Sequence, residues 1–145
     1  MISTEQLMRR YGELMDEGVR TGATNGEKLA AMYAEYCVGS SPAGVFGAKL
    51  DDGFGQMVRD GLSNYRRMGG TAFVVEAVAV EPVNDAHDLA RVGWRFDYVR
   101  PSDGATGTIR FENIYFVTRV GPEPKIFAWV TPDEQAALRE HGLIS

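Results

Sequence analysis

The stretch "GWRFDYVRPSDGATGTIRFENIYF", residues 93–116, decides the fold. On either side of the polar, Gly- and Pro-bearing "PSDGAT", large apolar residues alternate with polar ones at the period of two that marks a half-buried strand, so the two arms form an antiparallel hairpin. Trp94, Phe96 and Tyr98 occupy one face of the first arm and Arg95 and Asp97 the other. Centring the turn near Asp103 and Gly104 sets Arg95 opposite Glu112 and Asp97 opposite Arg110, a ladder of complementary charge suited to a water-facing surface or a polar interface. The same parity sends Trp94, Phe96, Tyr98, Phe111, Asn113 and Tyr115 to the opposite face, where a covering layer of helices would lie.

Outward from the hairpin, the β-branched run "TAFVVEAVAV" (71–80) and the segment "KIFAWV" (125–130) add two strands. Three helices are expected before them. The first starts at the capping-box pair Ser3 and Gln6 and carries Leu7, Met8, Tyr11, Leu14 and Met15 on one face until Gly18. A second begins near Asn25, with Leu29, Met32, Tyr33 and Tyr36 at helical spacing and "GSSPAG" as its stop; a third runs from Asp52 to Gly69-Gly70. Thr131 and Glu134 read as the capping box of a short closing helix to about Gly142, with Pro132 in its first turn. Helices followed by an antiparallel meander make an α+β domain, and a twisted, curved sheet under helices encloses a cavity.

This element order, the hairpin with its "DG" turn, and the closing strand "KIFAWV" resemble the NTF2-like superfamily, with its SnoaL-like and ketosteroid-isomerase-like branches. The resemblance spans nearly the whole chain and implies a single domain over residues 1–145: an NTF2-like α+β cone with N-terminal helices packed on a curved antiparallel sheet and a short C-terminal helix. The superfamily holds isomerases, dehydratases, cyclases, epoxide hydrolases and binding modules, so the fold does not choose the function.

Two branch chemistries are testable in the residues. Arg95 and Asp97 resemble the Arg–Asp pair of the limonene-epoxide-hydrolase branch, but the acid that branch places just after a strand tryptophan is replaced here by Thr131, following Trp129-Val130. Tyr11 resembles the enolate-stabilising tyrosine of the ketosteroid-isomerase branch, whereas "CVGSSPAG" (37–44) lacks the carboxylate that moves the proton. The face assigned to the cavity thus offers Tyr, Trp and Asn. The expected site is an aromatic-lined pocket for a small, largely apolar ligand, built by Tyr11, Tyr33, Trp94, Tyr98, Asn113, Tyr115 and Trp129, with Asn113 or a tyrosine hydroxyl fixing orientation. The alternative is a SnoaL-like enzyme using acid–base chemistry in the same pocket.

Composition narrows the partners. A chain of 145 residues with 44% hydrophobic and 24% charged residues is an ordinary globular domain, and a net charge of -5 offers no general attraction to phosphate backbones. No nucleic acid, membrane, metal or cofactor partner is expected. "NDAHD" (84–88) matches no defined metal spacing, and the arginine pairs 9–10 and 66–67 read as solvated helix faces. The single cysteine, Cys37, precludes an internal disulfide and fits a reducing cytoplasm. Ile114 and Phe116 share the parity of the charge ladder, which with the superfamily's habit implies a homodimer through the outer sheet face.

Overall fold

A computed structural model describes residues 1–145, the side chains of residues 48 and 52 excepted. The elements are α1 (Thr4–Thr21), α2 (Gly26–Ala30), β1 (Tyr33–Ser41), β2 (Gly44–Lys49), α3 (Asp52–Arg67), β3 (Gly70–Asn84), β4 (His87–Val99), β5 (Thr106–Thr118), β6 (Lys125–Val130) and α4 (Glu134–Glu140). The strands form one sheet in the order β2-β1-β6-β5-β4-β3, with β1 and β6 parallel and the other neighbours antiparallel. This is the α+β arrangement expected, helices on one face of a curved sheet.

The capping box of α1 is present: Ser3 Oγ accepts from Gln6 N at 3.1 Å and Gln6 Oε1 accepts from Ser3 N at 2.8 Å. The helix runs past Gly18 to Thr21 and stops at Gly22, whose φ of 82° is the left-handed cap. The second expected helix is mostly a strand. It ends at Ala30, and Tyr33 and Tyr36 belong to β1, where the parallel partner Ile126 competes successfully with local helix spacing. Residues four apart share a face in a strand as they do in a helix, so the buried Tyr33 and Cys37 fit both patterns. "GSSPAG" is the β1–β2 turn, and the glycine-bearing β2 is a sheet edge that alternation did not reveal.

The hairpin keeps its faces but shifts its partners. Arg95 pairs with Arg110 and Asp97 with Thr108, because the turn is closed by Arg100 N to Ala105 O (2.7 Å) and Gly104 N to Arg100 O (2.8 Å). A two-residue displacement preserves parity, so Trp94, Phe96 and Tyr98 remain buried. It also sets two arginines side by side. Glu76, from an irregular step in β3, accepts from Arg95 at 3.4 Å and from Arg110 at 3.0 Å, while Asp97 accepts from Arg95 (3.2 Å) and Thr108 (2.8 Å). Arg95 and Asp97 therefore belong to a surface network on the outer face.

α1 lies along β3 and β4 and is pinned twice. Thr4 Oγ1 donates to the buried Asp88 at 2.5 Å, with Arg119 donating to the same carboxylate at 2.9 and 3.3 Å. Asp16 Oδ1 accepts from the backbone N–H of Phe73 at 2.8 Å, which covers part of the β3 edge. Between these pins the helix touches the sheet at Gly12, where an added Cβ would sit 2.3 Å from Val75 Cγ2. Replacing Gly12 with Ala should cost roughly 1–3 kcal/mol by overpacking. In a Val75→Ala background the same change should become neutral or stabilising by up to about 1 kcal/mol, since alanine is the better helix former. Denaturant unfolding of both single variants and the double variant checks this; strict additivity would contradict it.

Candidate functional site

The buried faces of α1 and α3 and of the sheet do not close completely. They leave a cavity of about 170 Å³, comparable to an engineered apolar cavity of roughly 150 Å³ that accepts benzene. Its wall draws Tyr11 from α1, Tyr33 from β1, Tyr65 from α3, Trp94 from β4, Asn113 and Tyr115 from β5, Trp129 from β6 and Glu134 from α4. Tyr11 is the hub, its ring meeting Tyr33, Trp94 and Tyr115 edge-on with centroids 5.9, 6.0 and 5.9 Å away. Trp129 lies 5.6 Å from the Tyr33 ring and over Gly39, where a Cβ would come within 2.6 Å of the indole.

The polar atoms of the wall form three groups. The hydroxyls of Tyr11 and Tyr33 are 2.7 Å apart, so one donates to the other and the acceptor's own proton stays available. Trp94 Nε1 donates to the Tyr115 hydroxyl at 3.2 Å, and Asn113 Nδ2 lies 3.2 Å from the same oxygen. Drawn this way, Tyr115 receives two donors and the buried Asn113 Oδ1 has no protein partner. Turning the amide over lets Tyr115 donate to Oδ1 and frees Nδ2 as a donor. In either orientation one end of the Asn113 amide is buried in the cavity wall without a protein partner, a standing cost.

The third group is a carboxylate. The Tyr65 hydroxyl donates to Glu134 Oε1 where the wall meets α4. Glu134 was expected to be a capping residue, but the cap of α4 is Asp133, whose side chain accepts from Ala136 N at 3.0 Å. Glu134 is thereby released to turn inward. Burial pushes its carboxyl above the ordinary value, with the Tyr65 hydrogen bond pulling part of the way back. Burial likewise pushes the hydroxyls of Tyr11, Tyr33, Tyr65 and Tyr115 well up, so they serve as protonated donors and acceptors.

Tyr11, Tyr33, Trp94, Asn113, Tyr115 and Trp129 thus line one cavity. Tyr98 does not join them. Its hydroxyl bonds His141 Nδ1 at 2.9 Å beneath the end of α4, and Arg100 donates to the His141 carbonyl at 2.7 Å. Sequence reasoning missed Tyr65 and Glu134. The available signal for Glu134 was Asp133, a better cap than Thr131, which leaves the next residue free. His87 bonds Asn84 at 2.9 Å in the β3–β4 turn. Among the described residues no group of His, Cys, Asp and Glu is arranged to hold a metal, and no helix is long and apolar enough to cross a membrane.

No family model and no curated protein matches this chain. Solved structures do. A domain of unknown function with a cystatin-like fold from Nostoc punctiforme is 20% identical, with a TM-score of 0.63 over 99% of this chain and 90% of that one. An NTF2-like protein with a cystatin-like fold from Novosphingobium aromaticivorans is 19% identical, with a TM-score of 0.62 over 97% and 85%. A hexachlorocyclohexane dehydrochlorinase from Novosphingobium barchaimii is 10% identical, with a TM-score of 0.61 over 88% and 84%. Identities this low speak for fold, and the two without an enzyme's name match as well as the one with it. The chain has the NTF2-like fold to which its sequence resemblance pointed.

Proposed function

We propose that this protein binds a small, largely apolar carbonyl compound in the aromatic-lined cavity and moves a proton on it, with Glu134 as the acid–base group. The observation that carries the reading is the inward carboxylate of Glu134, hydrogen-bonded to Tyr65 on the wall of an otherwise aromatic cavity. It supplies at position 134 the acid that position 131 lacks, and so favours the enzyme over a binding module. A raised pKa brings a carboxyl closer to the range where it exchanges protons efficiently near neutrality.

The roles follow from the donors. With the Asn113 amide turned so that its Oδ1 accepts from Tyr115, the ligand's carbonyl oxygen accepts from Asn113 Nδ2 and from the unshared hydroxyl proton of the Tyr11–Tyr33 pair. Glu134 takes the proton from the adjacent carbon, the C–H pair moves into a new carbon–carbon double bond, and the carbonyl electrons collect on the oxygen held by those donors. Return of the proton to the same or a conjugated carbon completes an exchange or an isomerisation without a cofactor. Arg95 and Asp97 take no part.

The outer face carries the second element of the proposal, a homodimer. Tyr36, Val38 and Val130 are 66%, 47% and 42% exposed there, beside Ile114 and Phe116 and next to the charged network. An apolar patch rimmed by charge suits an isologous contact. The buried, unpaired Cys37 accords with a reducing cytoplasm.

Four measurements check these readings. Cyclohexanone in deuterated buffer should exchange its α-protons faster with the wild type than with Glu134→Gln, by 10²–10⁴-fold if general catalysis operates at its usual scale. Asn113→Ala should weaken binding more than Arg95→Ala, and equal exchange by wild type and Glu134→Gln would reject the base. Because the native state raises the Glu134 carboxyl above the ordinary 4.5, its contribution to stability is full below that value and is lost as pH rises through the raised one. The melting temperature of the wild type relative to Glu134→Gln should therefore fall from pH 4.5 upward; a constant difference would contradict the burial argument. Light scattering at micromolar concentration should give twice the 15.9 kDa chain mass, and Val38→Glu should shift it to monomer; a monomeric wild type would reject the dimer.

A further inference from the structure

Glu134 is the first residue of α4, a helix of seven residues. The side chain that α4 buries is Leu138, with Ala137 half-buried beside it. A helix roughly 10 Å long that rests on one buried side chain is free to rock about it, so its direction is set by whatever holds its two ends.

Both ends are tethered. At the first, the Tyr65 hydroxyl donates to Glu134 Oε1, and the Tyr65 ring is packed against Phe73 and Phe96 with centroids 5.1 and 5.4 Å away. At the other, the imidazole of the C-cap His141 meets the Tyr98 ring edge-on at 5.8 Å, and its Nδ1 is hydrogen-bonded to the Tyr98 hydroxyl at 2.9 Å. The His141 carbonyl accepts from Arg100 at 2.7 Å, and Arg100 is itself held in the β4–β5 turn by two bonds to Asp103, of 2.9 and 2.8 Å. Tyr98 is buried on β4, with β3 paired on one side and β5 on the other, so its hydroxyl is a fixed point of the sheet. The Tyr65 bond cannot do the same work alone. A glutamate side chain turns about three bonds, and one hydrogen bond at its tip fixes an oxygen without fixing the backbone behind it.

We infer that the clamp of Tyr98 and Arg100 on His141 positions Glu134: by fixing the far end of α4 it holds the carboxylate in the cavity wall. None of the three residues lines the cavity, so they act through the helix and not on a ligand. The inference rests on the reading of Glu134 as the acid–base group and adds the residues that keep it in place.

Tyr98→Phe and His141→Ala each remove the clamp's side-chain hydrogen bond, the first with the ring still in the core. His141→Asn puts an amide where Nδ1 stood and should restore the bond. The first readout is the NMR titration of the Glu134 carboxyl carbon in the full chain, with no ligand added. In Tyr98→Phe and His141→Ala the carboxylate should move toward water and its titration should fall from the raised wild-type position toward 4.5, because burial is the larger of the two effects on it and the Tyr65 bond the smaller. His141→Asn should titrate as the wild type does. The second readout is α-proton exchange of cyclohexanone, whose kcat should fall in the same two variants by on the order of 10²-fold with KM nearly unchanged, the scale of an ångström's misplacement. If Glu134 titrates alike in the wild type, Tyr98→Phe and His141→Ala, the clamp does not position it and the inference is overturned, whatever the exchange shows. A fall that His141→Asn fails to reverse overturns it as well, since the hydrogen bond is then not the link. If the titration falls and is restored as expected while the wild type exchanges no α-protons, the clamp stands and the acid–base reading fails.

Discussion

The site depends first on how closely α1 approaches the sheet, and Gly12 sets that distance. With no Cβ between the helix backbone and Val75, α1 lies directly against β3, and the neighbouring Tyr11 reaches the middle of the aromatic wall instead of its rim. The pins at Asp88 and Asp16 then fix the helix along its axis. Burial pushes the Asp88 carboxyl up, but the hydrogen bonds from Thr4 and Arg119 outweigh it and hold the group below its ordinary value. A wall of edge-on aromatic rings resists collapse, because each ring is braced by neighbours at about right angles and the gap between them stays open.

Within that frame the chemistry is sorted by face. Odd-numbered positions of β4 carry the charged network into water, and the even-numbered ones carry Trp94, Phe96 and Tyr98 inward. Such an outer network contributes modestly to stability, since exposed ion pairs are each worth about 0–1 kcal/mol. The inner polar groups have larger effects. A carboxylate and an amide in an apolar wall interact more strongly with whatever enters than they would at the surface, and they are costly until something does.

The hairpin was legible in the sequence because its error was harmless. Misplacing the turn by one residue displaces partners by two, which changes which charges meet but not which side chains face inward. That is why Trp94, Asn113 and Tyr115 were identified from parity alone. β1 was not legible: Leu29, Met32, Tyr33 and Tyr36 fit a helical stripe, and the partner that overrides it, Ile126, is remote in sequence. Glu134 escaped for a different reason. Its position at the start of a helix offered a sufficient local explanation, and only the cap actually made by Asp133 shows that the carboxylate is free for other work. Tyr98 was assigned to the pocket by parity correctly read, but parity gives a face and not a distance along it.

The parallel pairing of β1 with β6 has a consequence for how the molecule is made. Tyr33 and Trp129 face each other only when the strand at Tyr33–Ser41 has found the strand at Lys125–Val130, so one wall of the cavity is a contact between distant parts of the chain. Contacts of that range form late and slowly, after the local hairpins of β3, β4 and β5 are in place. During synthesis the meander can assemble while β1 and β2 wait, their exposed edge and apolar faces without a partner until β6 emerges. The chain is therefore most open to aggregation or chaperone capture in that interval, and the cavity is among the last features of the fold to exist.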